Sequence, residues 1–229
     1  MYNVKRFCFN PMQTNCYVVD FENHAIIIDP CCYFDHEKQE LDDYITSNNL
    51  KVDHILVTHM HVDHILGLNW CQKKYDVVAE GPTNENHWVE IGKQLAKQFG
   101  YNIDDDISPI TKPFENGEWI IEKNDGWINS SLSLESIYTP GHSPGHLCYL
   151  IKDCTGSFPY NNILFCGDVI FKDGIGRYDF PDSNYKDLQK SIELVKSEPV
   201  KKIYPGHGEP FSNGKNDIFF GKLDNILIL

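Results

Sequence analysis

The apolar positions of this chain fall into short runs. Near the N-terminus, residues 4–9, 16–20 and 25–29 are rich in β-branched or aromatic side chains, and Asn, Pro or charged residues bound each run. This pattern predicts three strands of a meander. Residues 37–48 change period, with Leu41, Tyr44 and Ile45 on one helical face. Residues 54–57 (HILV) predict a short buried strand, and residues 76–79 another. After the breaker Gly81-Pro82, Trp88, Ile91, Leu95 and Phe99 recur at helical spacing as a core face, until Gly100 stops the helix. Residues 102–116, with acidic Asp104 to Asp106, predict a loop. Further strands are expected at 119–122, 132–138, 147–151 and 163–166. Ser183 is the expected N-cap of a helix carrying Tyr185, Leu188, Ile192 and Val195, closed by Pro199 before a last strand at 201–204. Strands come first, then strands interspersed with helices. This order fits a layered α/β (α+β) sandwich better than a doubly wound sheet, and the Rossmann and P-loop glycine signatures are absent.

Length and charge narrow the partners. The 229 residues suit a single domain spanning 1–229. A formal net charge of -13 argues against phosphate-backbone binding and against anionic membrane surfaces, both of which need clustered Lys and Arg. No nucleic acid and no membrane partner is therefore expected. The 8 cysteines form no C-x-x-C pair. The start, MYNVKRFCFNPMQTNC, has no apolar signal region. A reducing cytoplasm is the expected compartment.

The main chemical signal is His59-Met60-His61-Val62-Asp63-His64, directly after a strand. In extended backbone, residues two apart face the same way, so His59 and His61 can present both rings to one point. Asp63 and His64 follow as the chain turns and can reach a second point nearby. Imidazole and carboxylate suit a borderline ion such as zinc. Three later candidates each follow a strand or a Pro-Gly turn: His142 in TPGHSPGH, Asp168 in FCGD and His207 in YPGHG. Taken alone, each of these would more often be structural. Their joint occurrence at strand ends, where layered α/β folds place sites, carries the weight.

In that order, THMHVDH, TPGHSPGH, CGDVIF and PGHG resemble the ligand motifs of the metallo-β-lactamase superfamily, over roughly residues 4–210. The resemblance implies a four-layer αββα sandwich with the site at one edge of the sheets. It also implies a metal-dependent hydrolase with His59, His61 and His142 on one metal, Asp63, His64 and His207 on a second, and Asp168 bridging. Two Zn²⁺ ions are the implied cofactors, with Fe or Mn as alternatives. A water shared by two such ions is acidified toward neutral pH and attacks a carbonyl, and Asp63 both binds metal and orients it.

The stretch Gly174-Ile175-Gly176-Arg177-Tyr178-Asp179-Phe180-Pro181 is similar to the GxGRxDF segment of glyoxalase II-like thioester hydrolases. This implies a small-molecule acyl thioester as substrate. Arg177 is the implied substrate-facing residue, or else a loop arginine tying down Asp179. His146 is open between a supporting partner of the site and a turn histidine. The chain departs from the glyoxalase II pattern at Cys31, where glycine is usual, at Glu209, where an aromatic is common, and in having only Lys215 and Lys222 as cations beyond His207. These departures point away from glutathione itself. The alternative within the same fold is an iron-dependent persulfide dioxygenase using His59, His142 and Asp168. A phosphodiesterase or nuclease is weaker, for want of a basic patch.

Overall fold

The computed structural model describes residues 2–98, 100–101, 107–115, 117–121, 130–153 and 162–212. The chain divides into two compact units, Met1–Phe114 and Glu115–Leu229.

In the first unit, β1 (Asn3–Phe9), β2 (Thr14–Phe21), β3 (His24–Ile28) and β4 (Lys51–Leu56) form one sheet in that order. The first three pair antiparallel, as the meander predicted, and β3 pairs parallel with β4. A parallel neighbour needs a crossover, and α1 (Asp35–Ser47) supplies it. Its start is held by Glu37, whose Oε2 accepts the Tyr33 and Phe34 amides at 2.7 and 3.0 Å and whose Oε1 accepts the Asn10 amide at 2.6 Å. One buried carboxylate thus ties the helix to the β1–β2 hairpin.

Two helices follow, α2 (Leu68–Tyr75) and α3 (His87–Gln98). The sequence pattern missed α2, a short helix that buries only Leu68 and Cys71. The strand expected at 76–79 is absent. Asp76 takes a left-handed conformation (φ 56°) as the C-cap of α2, and only Glu80 bridges, to Leu56 and Lys112. The face of α3 also differs from expectation. Trp88, Val89, Gly92 and Ala96 are buried, whereas Ile91 and Leu95 are exposed by 40% and 37%. Phe99 lies outside the described residues.

In the second unit, β5 (Gly117–Ile121), β6 (Ser130–Tyr138), β7 (Leu147–Asp153), β8 (Ile163–Gly167), β11 (Lys202–Pro205) and β12 (Phe211–Ser212) form a six-stranded sheet in the order β12-β11-β8-β7-β6-β5. A small hairpin, β9 (Ile170–Phe171) with β10 (Gly174–Ile175), stands beside it in the chain. Helix α4 (Tyr185–Ser197) is the crossover that makes β8 and β11 parallel neighbours. Its Leu188, Ile192 and Val195 pack on Leu150, Leu164, Cys166 and Ile203 in the core of this unit. The helix is capped by Asn184, one residue later than expected: its Oδ1 accepts the Asp187 amide at 3.2 Å, while the Ser183 hydroxyl donates to the His142 carbonyl. No helix among the described residues is long and apolar enough to cross a membrane.

Each unit therefore contains one parallel strand pair, β3–β4 and β8–β11. In open α/β sheets the crevice outside the carboxyl ends of parallel strands is where ligand groups gather.

Glu80 bridges Leu56 at the end of β4 to Lys112. Burial would raise its carboxyl, but His54 Nδ1 at 2.9 Å and Lys112 Nζ at 3.1 Å together hold it below its usual value of 4.5. A depressed folded value adds stability that is present above the unfolded value and lost as pH falls through the folded one. Glu80→Gln is therefore expected to be less stable than wild type near neutrality. The gap should close as the pH is lowered below about 4, in thermal midpoints recorded across that range.

Candidate metal centre

In the first unit, β3 ends in Asp29 and β4 leads into Thr58 and the histidine cluster. Asp29 sits in the left-handed region (φ 51°), which turns its carboxylate back across the strand ends. Its Oδ1 accepts the Thr58 amide at 2.7 Å, and its Oδ2 accepts the Thr58 hydroxyl at 2.8 Å. With its proton committed to Asp29, the Thr58 hydroxyl can only accept from His59 Nδ1, 3.0 Å away. His59 Nε2 is then the unprotonated nitrogen of the ring. Asp29 Oδ2 also faces His64 Nδ1 at 3.0 Å, which places a proton on Nδ1 and leaves His64 Nε2 as a lone pair. A carboxylate behind the ring fixes the tautomer a metal ligand needs.

His61 stands edge-on to Trp88, with ring centroids 4.6 Å apart, and its Nδ1 lies 3.1 Å from His59 Nε2. The Thr14 hydroxyl donates to Asp63 Oδ2 at 2.8 Å, and Asn10 Nδ2 donates to the Asp63 carbonyl at 3.0 Å. The β1–β2 hairpin thus positions Asp63, whose Oδ2 is 3.5 Å from His64 Nε2. Ligand-type atoms of His59 and His64 lie within 4.8 Å of one another, so the His59–His61 pair and the Asp63–His64 pair of the motif are neighbours within the unit.

In the second unit, His142 follows Gly141 (φ 134°), where any Cβ would overlap the backbone of Leu188 at the first turn of α4. His142 Nδ1 donates to the Arg177 carbonyl at 2.8 Å. A carbonyl can only accept, so in the neutral ring Nε2 is a lone pair. His146 has the same tautomer: its Nε2 accepts the Asp168 amide at 3.1 Å, and its Nδ1 donates to the Thr139 hydroxyl at 2.9 Å. The turn histidine therefore holds the backbone of Asp168. The Gly206 amide donates to the Gly167 carbonyl at 2.8 Å, which couples the loop carrying His207 to the loop carrying Asp168. Asp168 Oδ2 ends 3.6 Å from His142 Nε2 and 3.5 Å from His207 Nε2.

These separations test whether the residues fit a metal. Two acceptors facing one another, as Asp168 Oδ2 and the His142 Nε2 lone pair do, repel unless a proton or a cation lies between them. For a tetrahedral ion with bonds of 2.0–2.1 Å, two ligand atoms on the same ion sit about 3.4 Å apart. The four pairs within the units measure 3.1, 3.5, 3.5 and 3.6 Å. The donors are imidazole nitrogen and carboxylate oxygen, a set that suits zinc, iron or manganese. The residues present fit such a group.

Arg177 is exposed, yet one edge of its side chain is tied down. Its guanidinium forms two parallel bonds to Asp179, at 2.8 and 2.9 Å, and lies 4.4 Å over the Phe180 ring. The pairing holds the Asp179 carboxyl below its usual range. The ring of Phe180 in turn meets His142 edge-on at 5.8 Å. The Gly-Arg-x-Asp-Phe segment thus braces His142 through a carbonyl and a ring.

Sequence reasoning singled out the seven ligand candidates but missed Asp29, Thr58, Thr14 and Asn10. Asp29 had one usable signal, an aspartate directly after an apolar strand and before proline. Asp29→Asn retains an oxygen for the Thr58 amide but offers His64 an NH₂ where it needs an acceptor. This change is expected to weaken metal binding about 10- to 100-fold, measured by competition with a chromogenic chelator.

The sequence profile described as the metallo-beta-lactamase superfamily matches residues 9–207. The chain belongs to this superfamily, and its mixed α/β fold is the class expected for it. The hydroxyacylglutathione hydrolase GloC of Haemophilus influenzae is 30% identical over 231 residues, covering 93% of this chain and 100% of the relative. Two solved structures align with a TM-score of 0.71 at 26% identity. One is the BLEG-1 B3 metallo-beta-lactamase, covering 93% of this chain and 95% of that one. The other is TTHA1623 in a di-iron-bound form, covering 92% and 95%.

Proposed function

We propose that the chain is a binuclear metal hydrolase acting on a small-molecule acyl thioester, with both units contributing to one active domain. In this reading His59, His61 and His142 hold one ion, Asp63, His64 and His207 hold the second, and Asp168 is shared. The observation that carries it is the position of Asp168 Oδ2, nearly equidistant from His142 Nε2 and His207 Nε2 at 3.6 and 3.5 Å. A carboxylate serving two ions needs such a station. A single-ion site would have no use for Asp63, His64 and His207.

Bound there, two divalent cations supply a water acidified toward neutral pH and a Lewis acid for the carbonyl oxygen. Asp63, with one oxygen held by the Thr14 hydroxyl, orients the attacking water. Asp29, Thr58 and the Arg177 carbonyl keep the histidine nitrogens aimed without motion during the reaction, as electrostatic preorganisation requires. A thiolate leaves with little need for a general acid, which fits the lack of an assigned proton donor for the leaving group. The choice of thioester rests on similarity to the hydroxyacylglutathione hydrolase and on the GIGRYDF segment. Arg177 acts in this scheme through its carbonyl, and the guanidinium N–H groups that Asp179 does not take remain available to a substrate carboxylate.

The test is metal analysis of the purified protein, run beside a panel of acyl thioesters, a chromogenic cephalosporin and a persulfide with oxygen uptake. Two zinc, iron or manganese ions per chain with thioester hydrolysis is the expected result. One iron per chain with oxygen uptake on the persulfide would replace this reading with a dioxygenase. Turnover of the cephalosporin alone would replace it with a β-lactamase.

A further inference from the structure

The first unit contains a cavity of about 370 Å³ beside Asp63. This is within the size range of small-molecule sites. Met12 from the β1–β2 hairpin, Tyr33 from the segment after β3, Leu66 from the loop after the histidine motif, and Leu95 and Tyr101 from α3 and its end line it together with Asp63. Among the described residues, Asp63 is the only charged one in this lining.

The cavity is held open by polar bonds behind its walls. Asn10 Oδ1 accepts the Met12 amide at 2.9 Å, while Asn10 Nδ2 donates to the carbonyls of Asp63 and Cys31, both at 3.0 Å. One buried side chain thus fixes the hairpin tip at a set distance from the metal-ligand loop. On the other side, Tyr33 and Tyr101 meet edge-on with centroids 6.1 Å apart. The cavity also accounts for Leu95, whose spacing along α3 marks it for a core and which is instead 37% exposed at this wall. A preformed apolar concavity whose one charged group is spent on a metal ion offers an entering chain little but hydrocarbon contact.

We infer that this cavity is the acyl subsite, and that it takes an uncharged aliphatic chain attached to the scissile carbonyl. The inference rests on the thioesterase reading for the reaction and adds the class of acyl group to it. An acyl chain entering here brings its carbonyl to Asp63, while a charged thiol carrier is kept outside by the lining. Each methylene that enters should raise kcat/KM about threefold, slightly less than for full burial.

The test uses N-acetylcysteamine thioesters, so that the thiol is small, neutral and constant. With the metal-loaded protein, kcat/KM is expected to climb about 80-fold from acetyl to hexanoyl, about four methylenes at about threefold each. The climb should flatten in Leu95→Lys and in Met12→Trp, two partly exposed positions where the fold tolerates change. Equal rates across the series, or an unaltered climb in both variants, would overturn the inference. A second arm needs no turnover: octanamide, uncharged and unreactive, is titrated against protein with labelled methyl groups. Shifts at Met12 and Leu95 are expected, with the Met12 shift lost in Leu95→Lys. If octanamide binds there but no thioester is cleaved, the thioesterase reading fails and the apolar subsite stands. If thioesters are cleaved and octanamide leaves Met12 and Leu95 unmoved, the subsite fails and the thioesterase reading stands.

Discussion

Asp168→Asn is expected to lower hydrolysis by at least about 10³-fold, a loss on the scale of removing a main electrostatic contributor to the transition state. The metal content should fall from two ions per chain to one. The change is nearly isosteric and leaves the Asp168 amide bonded to His146 Nε2, so the loop should keep its place. What disappears is the negative charge shared by two cations. The same variant carries an unusual sign in chelator-treated protein. There the wild-type carboxylate faces the lone pair of His142 Nε2 at 3.6 Å and the His207 Nε2 at 3.5 Å. An asparagine NH₂ can donate to one of them. The metal-free variant is therefore expected to melt no lower than metal-free wild type, and the metal-loaded variant well below metal-loaded wild type. A merely structural aspartate would lose stability in both states.

Gly176→Ala is expected to damage the same site through the backbone. A Cβ at this position overlaps the carbonyl oxygen of Asp168 and comes within 3.2 Å of His142 Nδ1. Neither neighbour has room to retreat. The Gly176 amide donates to the Val169 carbonyl, and His142 is anchored through Nδ1 to the carbonyl of the adjoining Arg177. Relief must come from displacing Asp168, His142 or both. Overpacking of this kind costs about 1–3 kcal/mol, and a ligand shifted by about 1 Å costs about 10²-fold in rate. Gly174 in the same segment is the control, because a Cβ there meets nothing within 4 Å. Gly174→Ala should retain nearly full activity and melting temperature. Equal loss in the two variants would show that the segment matters only as a flexible turn.

The ligand motif was legible because four ligand-type residues fall within six positions after a strand, and alternation in extended backbone puts His59 and His61 on one side. His142, Asp168 and His207 were legible for a related reason: each follows a strand end or a Pro-Gly turn. The supporting groups were not. Asp29 reaches His64 across 35 positions, Thr14 reaches Asp63 across 49, and His142 meets the Arg177 carbonyl across 35. No local pattern encodes such pairings, since they exist only once the sheets have set the register. The errors in the fold have equally local causes. The run at 76–79 is apolar enough for a strand, but Asp76 is spent capping α2 in the left-handed region. Ile91 and Leu95 keep perfect helical spacing, yet the chain uses Val89, Gly92 and Ala96 for contact and turns Leu95 to a cavity wall. Arg177 was ambiguous because a guanidinium two residues from a carboxylate has two outlets, and the parallel pair with Asp179 is the one observed.

The most direct measurement is anomalous diffraction from crystals grown with zinc, iron or manganese, recorded on both sides of the metal's absorption edge. Two peaks about 3.5–4 Å apart are expected, one within bonding distance of His59, His61 and His142, the other of Asp63, His64 and His207, and Asp168 touching both. A single peak, or two peaks with the histidines of 59–64 on one and His142, Asp168 and His207 on another remote from it, would contradict the account.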